Sequence, residues 1–304
     1  MIINKPGSTP IGDNLSGRTY STQAEFRGAP KDMVVENGAP YLSNVNAKSV
    51  DFKDIPKLIA AEKGMLYLSE EEAEKRFNYG NAVALTVGKR VLGFASVIPL
   101  LSTDMKNELG LPADIPDVLE VGSVIVCEKL RGHRCAEELL AELLRGTLGA
   151  QSEKRYYEEI PGISISFASN FRKSPDSKAD SVLVICTTKN EFLEKALIKV
   201  SQDLGLSRWW GNHETFPMIA PLTCVCTPNN GGGCGFQYEV PCEVRIGAEE
   251  LEKGCKCRMW ASNWELAEKT DRVLRKFLDV EGASDETGPQ KRLVNLLRNV
   301  GYYS

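Results

Sequence analysis

Residues 121–148, VGSVIVCEKLRGHRCAEELLAELLRGTL, constrain this chain more than any other stretch. The apolar run Val124, Ile125, Val126 has the character of a buried strand. Downstream, Ala136, Leu139, Leu140, Leu143, Leu144 and Leu148 recur at helical spacing, which predicts one apolar stripe packed on a sheet. Between strand and helix stand Arg131, Gly132, His133, Arg134 and Cys135. Gly132 has no side chain, so backbone there can approach a ligand closely. The first N–H groups of a helix lack partners within it, and the positive end of its dipole adds to them. A basic turn between a strand and a helix N-terminus therefore predicts an anion site, most naturally for phosphate. An ordinary βα turn with solvated charges has the same composition, so the flanking elements must decide.

The stretch resembles the central strand–turn–helix of the GNAT acyltransferase superfamily. That family reads Val-x-x-x-x-Arg-Gly-x-Gly-x-(Gly/Ala) here and wraps the turn around the pyrophosphate of acetyl-coenzyme A. Val126, the pair Arg131-Gly132 and Ala136 match the pattern, while Arg134 stands in place of the second glycine. Arg134 either crowds the diphosphate or offers it another cation. By this resemblance Val124, Ile125, Val126, Arg131, Gly132, His133, Arg134, Cys135 and Ala136 are expected to hold the cofactor, the strand residues through backbone N–H groups that a β-bulge leaves free.

The rest of the chain supplies the order of elements. Residues 1–45 are rich in Gly, Pro, Ser and Asn and read as an extended arm. Asp54 and Pro56 suit the start of a helix, and Ser69 with Glu72 forms a capping box that opens a second. Residues 82–87 and 91–98 make a hairpin around Gly88-Lys89, with Gly93 marking a bulge or a close backbone approach. Residues 100–116 read as a polar connection, and residues 149–180 as a long segment carrying a small hairpin or a flap. A buried strand follows at 182–186, then a helix at 190–204 with Phe192, Leu193, Ala196, Leu197 and Val200 inward and Gly205 as its stop. Further β-character is expected at 222–227 and 238–246.

This order is similar to that of the GNAT fold over residues 46–246. The resemblance implies an α/β (α+β) domain with a mixed, mostly antiparallel sheet flanked by helices. Residues 247–304 lie outside it and are expected to form a helical extension, with Ser262 and Glu265 in a capping box. Its apolar face must dock on the core or pair with another subunit as a homodimer. The resemblance also implies activity: transfer of an acetyl group from acetyl-coenzyme A to a primary amine, on a small molecule or a peptide. Asn190, just before the second helix, matches the family's asparagine and by that resemblance joins the cofactor-binding residues. Glu120 stands six residues before the motif valine, where a carboxylate takes the amine's proton. Ser201 occupies the place of a tyrosine that protonates the departing thiolate.

Composition limits the alternatives. The net charge of −4 gives no bulk attraction to nucleic acid. No apolar run approaches the ~20 residues needed to cross a bilayer. The N-terminal MIINKPGSTP has no hydrophobic signal core, so a cytoplasmic location with reduced thiols is expected for the nine cysteines. Cys224, Cys226, Cys234, Cys242, Cys255 and Cys257 lack zinc-knuckle spacing, so no metal is expected, though a metal site or disulfides stay open. Asp104, Asp114, Asp117 and Glu120 suit a cationic acceptor, and equally a solvated loop. His213 follows Trp209-Trp210, an aromatic pair that either lines a pocket or packs between elements. Two rival readings remain: a non-catalytic module that binds acyl-coenzyme A, and a cysteine-rich metal-binding interaction protein.

Overall fold

The structure is a computed structural model that describes residues 41–43, 50–60, 69–172, 181–188, 190–211, 215–223, 258–280 and 293. In chain order the elements are β1 (Tyr41–Ser43), α1 (Ile55–Ala60), α2 (Glu70–Tyr79), β2 (Ala82–Val87), β3 (Arg90–Leu101), α3 (Thr103–Glu108) and β4 (Asp117–Val126). They continue with α4 (Cys135–Leu148), β5 (Ser166–Arg172), β6 (Val182–Thr188), α5 (Glu191–Asp203), β7 (Trp209–Gly211), α6 (Ala220–Thr223), β8 (Arg258–Ala261) and α7 (Trp264–Val280). The strands form one mixed sheet in the order β1–β5–β2–β3–β4–β6–β8–β7. The fold class is thus α/β, as expected.

Both faces of the sheet are covered. Under α4 and α5 lie Val83, Ala95, Val97, Val121, Val184 and Trp260, in one cluster with the helix leucines. Leu139, Leu140, Leu143 and Leu144 are wholly buried there. Burying each such side chain contributes about 1.5–3 kcal/mol. On the other face, Phe52, Ile55 and Phe77 from the α1–α2 region pack on Ala82, Ala84, Phe94 and Ile125. Further along, α7 places Ala267, Leu274 and Leu278 in a cluster with Ile98, Val118, Leu183 and Ile185.

One departure in pairing shapes the site. β4 is antiparallel to β3 along its length, but its register shifts so that Ser96 faces Ser123 while Val97 faces Val121. Gly122 is the extra residue, a β-bulge. On its other side β4 pairs in parallel with β6 over four residues, from Asp117↔Val182 to Glu120↔Ile185. On its opposite edge β6 pairs with β8, from Ile185↔Ala261 to Thr188↔Arg258. The edge of β4 from 121 to 126 therefore has no strand beside it among the described residues.

Several expectations are corrected. Asp54 directs its side chain to Arg90 Nε, 2.8 Å away, rather than to the start of α1. Ser69 does cap α2 through Glu72 N–H, yet Glu72 pairs with Arg76 instead of reaching back. The polar connection at 100–116 contains α3, capped by Ser102. The segment after α4 carries a small antiparallel turn, with Ile160 bridged to Ile163, and then supplies β5, which pairs with β2 inside the sheet. Gly146 is the reason α4 can lie on it: a β-carbon there would fall 2.2 Å from the Phe171 ring. Residues 220–223 are helical rather than β. The tail beyond 247 is not an appendage, because β8 sits between β6 and β7. Asn263 Oδ1, not Ser262, accepts from Leu266 N–H to cap α7, while Ser262 Oγ accepts from Val184 N–H. Of the arm expected at 1–45, residues 41–43 are instead a strand paired with β5, while 1–40 and 44–49, the β-character expected at 224–227 and 238–246, and residues 281–304 apart from Leu293 lie outside the described residues.

Candidate functional site

The open edge of β4 leads into a cavity of about 320 Å³. Its floor is Val124, Ile125 and Val126; one wall is Leu130, Arg131, Gly132, Arg134, Cys135, Ala136 and Glu137; the other is Asn190, Phe192, Leu193 and Ala196. Two helix N-terminal turns thus meet over the end of a strand. The small side chains of Ala136 and Ala196 leave the space between them.

The turn is built by backbone demands. Gly132 has φ +81° and Arg134 has φ +59°, both left-handed. The first is easy for glycine, whereas the second costs a residue with a side chain about 1–2 kcal/mol. Arg134 is the N-cap of α4 and gives no side-chain cap hydrogen bond. Its Nε lies 3.8 Å from Glu137 Oε1. Arg131 donates from Nε to the Val126 carbonyl at 3.3 Å, which folds the turn back on β4. Two guanidinium groups and a helix N-terminus oppose one carboxylate, so this wall favours an anion. Asn190 caps α5 by accepting at Oδ1 from Phe192 and Leu193 N–H groups at 3.0 and 3.3 Å. Its Nδ2 takes no part in that cap.

Nine of the ten residues expected at the cofactor line this cavity: Val124, Ile125, Val126, Arg131, Gly132, Arg134, Cys135, Ala136 and Asn190. His133 does not. Its carbonyl instead accepts from Glu158 N–H at 2.9 Å and from the Cys135 thiol at 3.8 Å, which pins the turn to the segment after α4. Burial pushes the Cys135 thiol up to about 11, with Cys127, Glu137 and Glu138 adding to it. At neutral pH it is a packed thiol and not a nucleophile.

The two residues expected to act in catalysis lie elsewhere. Glu120 is buried at the last rung of the β4–β6 ladder, on the strand face shared by its partners Ile98 and Ile185. It stands close enough to Cys186 to raise that thiol, whose burial is the larger cause. Ser201 is wholly buried in α5, and its Oγ has no hydrogen-bond partner and does not reach the cavity.

Other features escaped the sequence. Phe192, expected inward, is 61% exposed in the first turn of α5, where it lines the cavity. Leu130 and Glu137 also line the cavity, and only their closeness to the basic turn pointed to them. Trp209 and Trp210 are packing residues: Trp209 meets Phe216 edge to face at 4.6 Å, and Trp210 Nε1 donates to Glu194. Asp104, Asp114 and Asp117 do not line the cavity; Asp117 pairs with the buried Lys106 at 2.9 Å. His213 and the six cysteines from 224 to 257 lie outside the described residues.

No family model matches the chain, and no curated protein or solved structure is similar to it at a significant level. No described helix is long and apolar enough to cross a membrane.

Proposed function

We propose that this protein is an acyl-coenzyme A-dependent N-acyltransferase of the GNAT type, taking acetyl-coenzyme A and a primary amine. The carrying observation is the parting of β4 from β6 after Glu120, directly beside a basic turn at a helix N-terminus. An extended amide-bearing arm needs backbone partners, and the uncovered edge at 121–126 offers them. A diphosphate needs N–H donors and cations, and the turn at 131–136 offers both.

The two ends fit one elongated ligand. Glu120 lies four residues from Val124, about 13 Å along an extended strand. A ligand held by its diphosphate at Arg131 and Arg134 can run along β4 and present its thioester near Glu120. There the amine nitrogen attacks the thioester carbonyl carbon, a C–N bond forms, the C–S bond breaks, and the amine's proton must leave. Glu120 does not line the cavity, so it is the group assigned to accept that proton through water. Backbone N–H groups at the bulge are the donors for the developing oxyanion. Ser201 has no role in this scheme; the departing thiolate takes its proton from solvent or the acceptor.

The burial of Ser201 favours a second reading, a module that binds acyl-coenzyme A without turning it over. A thiol-release assay over acyl donors and a panel of amines separates the two. Release that depends on amine supports the enzyme; tight binding with no release leaves the binding module; no binding of any acyl-coenzyme A removes both.

A further inference from the structure

We infer that Phe192 is the platform on which the purine ring of the nucleotide half of the acyl carrier stacks. This rests on the acyl-coenzyme A reading of the cavity. Phe192 is the most exposed large hydrophobic side chain among the described residues. An open aromatic ring on a cavity rim, beside Leu193 and facing a wall that holds Arg131 and Arg134, asks for a flat ligand joined to an anion. The ring stands on fixed backbone, because Phe192 N–H donates to the Asn190 cap at 3.0 Å. A ligand stacking there does not have to order a loop first.

The two halves of the carrier leave the diphosphate in different directions. The thioester arm must go inward along β4, where Glu120 is buried. The nucleoside must then go outward, to the rim. The exposed rim ring therefore meets the purine and not the arm. Base stacking of this kind tolerates substitution by another flat ring and fails with an aliphatic one.

The test uses the full chain with two probes, coenzyme A and 4′-phosphopantetheine, which keeps the arm and one phosphate and lacks the 3′-phospho-AMP half. Titration calorimetry should show Phe192→Ala and Phe192→Leu binding coenzyme A about tenfold more weakly, while 4′-phosphopantetheine affinity stays the same. Phe192→Trp should restore binding, and its indole emission should be quenched as coenzyme A is added. Unchanged melting temperatures would show that the variants fold. Equal weakening of both probes, or of neither, overturns the assignment of Phe192 while the acyl-coenzyme A reading stands. Failure of the unmodified chain to bind either probe overturns both.

Discussion

Gly122 lies against Ile98 so tightly that a β-carbon on the glycine would fall 2.0 Å from Ile98 Cδ1. The bulge in β4 thus sits where Ile98 leaves no room for a β-carbon. Gly122→Ala is expected to lower stability by about 1–3 kcal/mol, the usual range for overpacking a core. In the double variant Gly122→Ala/Ile98→Val the loss of Cδ1 should relieve part of the clash. Its destabilisation should be smaller than the sum of the single changes, measured by urea denaturation as a double-mutant cycle. Simple additivity would mean that the two residues do not press on each other.

Arg134 combines a strained backbone with a charge. Arg134→Gly relieves the left-handed conformation, yet glycine also gains freedom in the unfolded chain, so stability should change by less than about 1 kcal/mol. Acetyl-coenzyme A affinity should fall about tenfold through the lost cation, with the deficit shrinking as salt is raised. Unchanged affinity would place the anion away from α4.

Glu120→Gln is expected to cut kcat/KM for amine acylation by about 10²–10⁴, the typical contribution of a positioned base. Acetyl-coenzyme A binding should be preserved, because Glu120 does not line the cavity. A pH–rate profile identical to that of the unmodified chain would remove Glu120 from the mechanism.

Glu138 is wholly buried in α4 and accepts from the backbone N–H groups of Tyr156 and Tyr157. It also lies 3.6 Å from the Arg145 guanidinium. Glu138→Ala leaves two backbone donors and a cation without this carboxylate, and should cost about 3–5 kcal/mol. The same segment donates from Glu158 to the His133 carbonyl, so coenzyme A binding should weaken as well. Both are read by comparing thermal melts with and without coenzyme A. A variant of full stability would show that the Glu138 contacts to the segment after α4 are dispensable.

Asp203 joins α5 to that segment. The Lys154 ammonium holds its carboxyl below the usual range, helped by the Tyr156 hydroxyl and opposed by burial. A depressed carboxylate contributes stability above its unfolded value, near 4, and loses it as pH falls through the lower folded value. Asp203→Asn should therefore be less stable at neutral pH, and the difference should narrow on acidification below about pH 4. A gap of constant size from pH 7 to pH 2 would exclude this linkage.

Local pattern was enough for α4, whose leucines recur with a period only a helix satisfies, and for the β2–β3 hairpin around Gly88. It was enough for the basic turn, because donors, cations and a helix start adjoin in sequence. Long-range pairing was not legible. β5 joins the sheet beside β2, some 80 residues earlier, and only packing such as Phe171 on Gly146 selects that partner. Asp54 looks like a helix cap until Arg90, 36 residues on, comes within reach.

What the sequence determined by itself is therefore the strand–turn–helix at 121–148, since periodicity and turn chemistry act over a few residues. The tertiary structure alone decided that β4 parts from β6 after Glu120, that Ser201 is sealed inside α5, and that Phe192 stands open at the rim. These depend on which distant surfaces cover a residue, and burial is a property of the whole packed chain.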